Sequence, residues 1–81
     1  MTESLDELRA TYGKEAQFSE HKRGERIAYT SAEGERRSGE IVWVQAATGA
    51  IPMKYVVAPD DGGFLDFALP GDVIAVTQGE P

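Results

Sequence analysis

The sequence predicts a mainly β fold, a small and strongly bent barrel of five strands preceded by a short N-terminal helix or flexible tail. Three observations carry that prediction. Five short apolar segments follow one another between Gly24 and Val76, turn-forming Gly, Pro and Asp separate them, and Gly39 stands just inside the longest of them, where a strand can bend sharply. The chain divides accordingly into an N-terminal helix or flexible extension over 1–23 and a barrel over 24–81.

Ser4 followed by Glu7 fits a capping box, and Leu5, Leu8 and Tyr12 recur at helical spacing, so a short helix is expected from Leu5 to Tyr12 with Gly13 as its stop. The stretch from Lys14 to Gly24 is polar, with Phe18 its only substantial apolar anchor, and reads as a linker. A helix this short is marginal in water, so partial disorder is the expectation for residues 1–23. From Arg26 the period becomes two. Ile27 and Tyr29 point one way, and Arg26, Ala28 and Thr30 the other, through a first strand that ends in the turn Ala32-Glu33-Gly34-Glu35.

Gly39 to Gln45 is the strongest β-favouring run, yet Ile41-Val42-Trp43-Val44 is apolar on both faces and leaves its inward side ambiguous. Thr48 to Pro52 breaks the pattern. Met53 to Ala58 resumes it, with Tyr55 and Val57 on one face and Lys54 and Val56 on the other. Pro59-Asp60-Asp61-Gly62-Gly63 supplies the positive φ of a tight hairpin. In the fourth strand, Phe64 to Leu69, an outward Asp66 puts Leu65, Phe67 and Leu69 inside. Pro70-Gly71-Asp72 then makes a 3₁₀-like link into Val73 to Val76. The expected core is Ile27, Ile41 or Val42, Trp43 or Val44, Val57, Phe67 and Ile74.

Five strands, a Gly-marked bend and a one-turn link before the last strand fit an SH3-like barrel best, with an open meander covered by the N-terminal helix as the alternative. Gly24-Glu25-Arg26-Ile27, Arg37-Ser38-Gly39-Glu40-Ile41, Ile51-Pro52 before Tyr55-Val56-Val57, Asp61-Gly62 and Pro70-Gly71-Asp72 carry a family likeness. Over about two thirds of its length the chain resembles a bacterial domain-of-unknown-function family of short SH3-like, tudor-like proteins. It departs in a longer Gly49–Met53 connection, a doubled glycine at the hairpin and the N-terminal extension. The resemblance implies an architecture and no catalytic residue, and the broader fold hosts peptide binders, nucleic-acid binders and structural modules.

At 81 residues a single core leaves room only for a shallow pocket. The chain has no cysteine, which removes disulfides, thiolate chemistry and cysteine metal sites, and a single histidine, His21, which removes two-histidine metal motifs. No segment approaches a membrane span and no apolar run follows the acidic N-terminus, so a soluble cytoplasmic protein is expected. Ser19 lies near His21, but two residues apart in a linker make no triad. The glycines match neither a phosphate-binding loop nor a dinucleotide fingerprint. No enzyme activity and no cofactor are expected. Asp60, Asp61, Asp66 and Asp72 do not match a calcium loop, and turn preference accounts for Asp60, Asp61 and Asp72, so no metal is expected either.

Two surfaces are candidates for binding. Tyr29, Trp43, Tyr55 and Phe64 are the aromatics able to line a peptide groove, which makes another protein the expected partner; the opposing reading packs Trp43 in the core. The alternative partner is nucleic acid, gripped by Lys22, Arg23, Arg26, Arg36 and Arg37 beside His21. Against it stand a net charge of −6 and, over residues 27–81, eight acidic against three basic side chains. The Leu5, Leu8, Tyr12 face has three possible seats: the barrel itself, a second copy, or another protein. Open β-edges are a second route to self-association.

Overall fold

The computed structural model describes residues 5–77. One helix, α1 (Leu5–Tyr12), precedes five strands: β1 (Arg26–Thr30), β2 (Arg36–Gln45), β3 (Lys54–Pro59), β4 (Asp66–Ala68) and β5 (Val73–Val76), with a 3₁₀ turn at Pro70–Asp72 leading into β5. The strands form one antiparallel sheet in the order β4-β3-β2-β1-β5. The sheet does not close, and β4 and β5 are its two edges. The capping box expected at Ser4 lies outside the described residues, as does the side chain of Leu5.

The turn chemistry acts where the sequence places it. Ser31 and Glu35 close the first hairpin, the Ser31 N–H donating to the Glu35 carbonyl at 2.8 Å. At the β3–β4 connection the Gly62 N–H donates to the Pro59 carbonyl at 3.1 Å, and both Gly62 and Gly63 take the positive φ that only glycine adopts without strain. The 3₁₀ turn is held reciprocally by the Asp72 N–H on the Leu69 carbonyl and the Leu69 N–H on Asp72 Oδ2. Gly39, where the sequence expects a bend, pairs in regular register with Ile27 and Pro59 and is needed for space, because a Cβ there would run into the Ala58 carbonyl oxygen and come within 2.8 Å of Val57 Cγ1.

The bulge lies three residues further on and settles the ambiguity of β2. Ile41 pairs with Val57, but Trp43 pairs with Val56 and Val44 with Tyr55, so Val42 is an extra residue. The slip turns Ile41 and Val44, three positions apart, to the same face. There they join Ile27, Tyr29, Tyr55, Val57 and Ala68 in the main core. Trp43 and Val42 are thrown to the opposite face, where Trp43 (2% exposed) packs with Leu8 of α1 and with Val56. The sheet therefore has an apolar cluster on each side.

Three expectations for the core are overturned by parity. Tyr55 pairs with Ala68 and Val57 with Asp66, which places Ala68 and Asp66 on the main-core side and turns Phe67 and Leu69 outward, leaving them 46% and 43% exposed. Asp66 faces in because the buried Tyr29 hydroxyl needs an acceptor, and it donates to Asp66 Oδ2 at 2.6 Å. Ile74 is exposed for a related reason. The register between β1 and β5 slips between Ala28 and Tyr29, so Ile74 is the unpaired residue, and Val73 packs on the core in its place. Ala28, on the face opposite Ile27 and Tyr29, is fully buried as they are.

The segment expected to be a linker is built into the fold. β1 pairs only with residues 36–40 of the ten-residue β2, so the second half of β2 lacks a strand on that side. Residues 14–16 and 24–25 take up those backbone groups. Ala16 N–H donates to the Val44 carbonyl (2.8 Å), Ala46 N–H to Lys14 (3.0 Å), Gly24 N–H to Ile41 (2.8 Å) and Ile41 N–H to Glu25 (2.9 Å). The helix is fastened by the Trp43 indole N–H donating to the Gly13 carbonyl and by Gln45 Nε2 donating to the Tyr12 carbonyl. Phe18, the expected anchor of this segment, is instead exposed.

Candidate functional site

The four aromatics expected to line a groove do not share one. Tyr29 and Tyr55 are fully buried in the main core, Trp43 is buried on the opposite face beneath α1, and only Phe64 (94% exposed) stands in solvent. Burial foremost, and then the hydrogen bond to Asp66, hold the Tyr29 phenol well above the ordinary tyrosine range. Burial likewise raises Tyr55, against a smaller lowering effect of the His21 backbone. The His21 ring stands edge-on to Tyr55 at 5.6 Å, and its Nδ1 meets Glu25 Oε1 at 3.2 Å. Ser19 Oγ donates to the His21 backbone carbonyl, not to the imidazole, so these two residues form no nucleophile and base pair.

The basic residues are dispersed as well. Arg36 and Arg26 pair with opposite ends of the first hairpin, four residues of strand or roughly 13 Å apart. Three of the five are also neutralised from within. Arg23 Nε donates to Glu15 Oε2 at 2.5 Å, Arg26 pairs with Asp60, and Arg37 bonds both Glu35 and Asp66 at 3.3 Å. Lys22 and Arg36 are exposed. Of the aspartates, Asp60 and Asp66 are therefore ion-pair partners and Asp72 holds the 3₁₀ turn. Among the described residues no group of three His, Asp or Glu side chains is placed to hold a metal ion, and no helix is long and apolar enough to cross a membrane.

Two other features emerge. The first is an apolar strip on the β4 edge: Phe64, Phe67 and Leu69 are all exposed within six consecutive residues. Phe67 is steadied from two sides, by the Tyr12 ring edge-on at 6.0 Å and by Lys54 Nζ 5.5 Å from its ring centroid. The second is a half-open pocket of about 330 Å³ between the N-terminal segment and β2, lined by Glu15, Ala16, Ser19, Lys22, Arg23 and Val44. Sequence reasoning missed both, because it put Phe67 and Leu69 inside and treated residues 14–24 as a tether. The one available signal for the strip was Asp66 itself. A lone carboxylate in an apolar run points inward when a buried donor such as Tyr29 needs it.

Compared with family models, curated proteins and solved structures, the chain matches none.

Proposed function

We propose that this protein is a non-catalytic interaction module of the SH3-like type that binds another protein through its β4 edge. The architecture is supported by the strand order β4-β3-β2-β1-β5 and the one-turn 3₁₀ link before β5, the connectivity expected of an SH3-like barrel. The same connectivity supports the resemblance to the short bacterial SH3-like family. The observation that carries the function is the strip of Phe64, Phe67 and Leu69. Single exposed apolar residues are ordinary on any surface, but three large ones within six residues beside an open sheet edge offer apolar surface that a partner can cover. The groove of Tyr29, Trp43 and Tyr55 is replaced by this strip, since those three side chains are committed to packing.

The test compares wild type with the double variant Phe67→Ser/Leu69→Ser on an immobilised support. The expected result is a protein that still folds cooperatively, with a melting temperature lowered by the lost contacts of Phe67 with Tyr12 and Lys54, together with loss of a protein that wild type retains. Undiminished retention by the folded variant would refute the β4 reading.

A further inference from the structure

The pocket between the N-terminal segment and β2 has a chemistry of its own, independent of the β4 strip. Its apolar floor is Ala16, with Val44 enclosed in the core behind it, and its polar wall is Glu15, Ser19, Lys22 and Arg23. Arg23 is held in place twice, by its Nε bond to Glu15 Oε2 and by the Trp43 ring, whose centroid lies 5.6 Å from the guanidinium carbon. Only one edge of the guanidinium is used in this way. Its two terminal nitrogens, and the Lys22 ammonium, carry no hydrogen bond or ion pair among the described residues. A fixed planar fork beside a free ammonium is the arrangement that receives an oxyanion.

Charge decides which oxyanion. Two cations and one carboxylate give the wall a formal charge of +1 in a chain of net −6. A carboxylate brings the wall to neutrality, whereas a phosphate monoester, carrying roughly −1.5 to −2 at neutral pH, would leave excess negative charge beside Glu15. Ser19 narrows the ligand further. Its hydroxyl hydrogen is given to the His21 carbonyl, so what remains for a ligand is an acceptor lone pair, suited to an N–H. A carboxylate with a neighbouring amide N–H, on a small apolar side chain that fits over the half-buried Ala16, is the last residue of a peptide chain. The geometry points to this pocket as a site for the C-terminal carboxylate of a peptide ending in a small apolar residue.

Trp43 is the single tryptophan and lies against Arg23, so its fluorescence reports on the pocket directly. N-acetylvaline, N-acetylvalinamide, a tetrapeptide ending in valine and inorganic phosphate are titrated at matched ionic strength, with amide chemical shifts of residues 15–23 followed in parallel. N-acetylvaline is expected to bind saturably with a Kd on the order of millimolar, as befits so small a ligand, and the tetrapeptide at least as tightly. The uncharged amide and phosphate are expected not to saturate. Lys22→Gln should weaken N-acetylvaline about tenfold, the loss of one charge-assisted hydrogen bond, and leave the melting temperature unchanged because Lys22 is exposed. Equal binding of the amide or of phosphate, failure of the tetrapeptide, or an unaltered affinity in the folded Lys22→Gln protein would overturn the assignment.

Discussion

Replacing Leu8 by Ala probes whether α1 belongs to the folded unit. Leu8 is 6% exposed and lies in a cluster whose other buried members are Trp43 and Val56. Leu→Ala in a core costs about 2–5 kcal/mol. The lower half of that range applies here, since a short helix resting on one face of a sheet can settle partly into the space. A loss of about 2.5 kcal/mol lowers the melting temperature of a domain this size by roughly 10–20 °C. Trp43→Ala should cost more, about 3–5 kcal/mol, because it removes a larger buried side chain and the indole bond to the Gly13 carbonyl. Since both truncations open the same cavity, the double variant should fall short of the sum by about 1 kcal/mol. The assay is urea unfolding followed by far-UV circular dichroism, which does not depend on the lost tryptophan. A Leu8→Ala protein within about 0.5 kcal/mol of wild type, together with strict additivity, would show that the helix does not rest on Trp43.

Gly39→Ala should destabilise by about 1–3 kcal/mol or more, because the new methyl meets the β3 backbone at Ala58 and not a yielding side chain; a melting temperature within 2 °C of wild type, about what an ordinary surface change produces, would contradict that close approach. Tyr29→Phe should cost about 1–2 kcal/mol at neutral pH, the net worth of its bond to the Asp66 carboxylate. Its folded phenol holds a proton more tightly than the unfolded one, so the stability this contributes is complete below the ordinary tyrosine value of about 10 and is lost as pH rises beyond it. Tyr29→Phe should therefore flatten the alkaline decline in stability, leaving the share due to Tyr55. Fluorescence anisotropy with a labelled DNA duplex at low salt should give no saturable binding, since Arg26 and Arg37 are already paired and the chain carries a net charge of −6; tight binding that weakens steeply with added salt would reverse that conclusion.

What the sequence made legible was whatever depends on neighbours in the chain. The turns at Gly34 and Gly62, the 3₁₀ link at Pro70–Asp72 and the strand at Val73–Val76 are set by local backbone preferences, and the structure has them where they were expected. What escaped depends on pairing across strands. A single bulge at Val42 changes which of Ile41, Val42, Trp43 and Val44 share a face, and alternation within β2 carries no trace of it. The facing of β4 was misread because Asp66 was judged by its own polarity, while its position is set by Tyr29 and Arg37, 37 and 29 residues away along the chain. The candidate sites followed the same division. The aromatic and basic residues were named by type alone, and their burial and pairing are nonlocal facts.

The role of residues 14–25 follows from a mismatch of lengths. β2 runs for ten residues and β1 for five, so one side of residues 41–45 would face solvent with its amides and carbonyls unpaired, next to an indole too large to leave uncovered. A polar, loop-like segment satisfies those groups better than a sixth strand, because the chain must also turn across the Trp43 face to reach α1. Its polarity, which suggested a linker, is what allows Glu15, Ser19, Lys22 and Arg23 to ring a pocket while the backbone of Lys14, Ala16, Gly24 and Glu25 completes the sheet. The pocket is thus a by-product of finishing β2. A change that loosened the pairing of Ala16 with Val44 would be expected to open the Arg23–Trp43 contact and abolish ligand binding together.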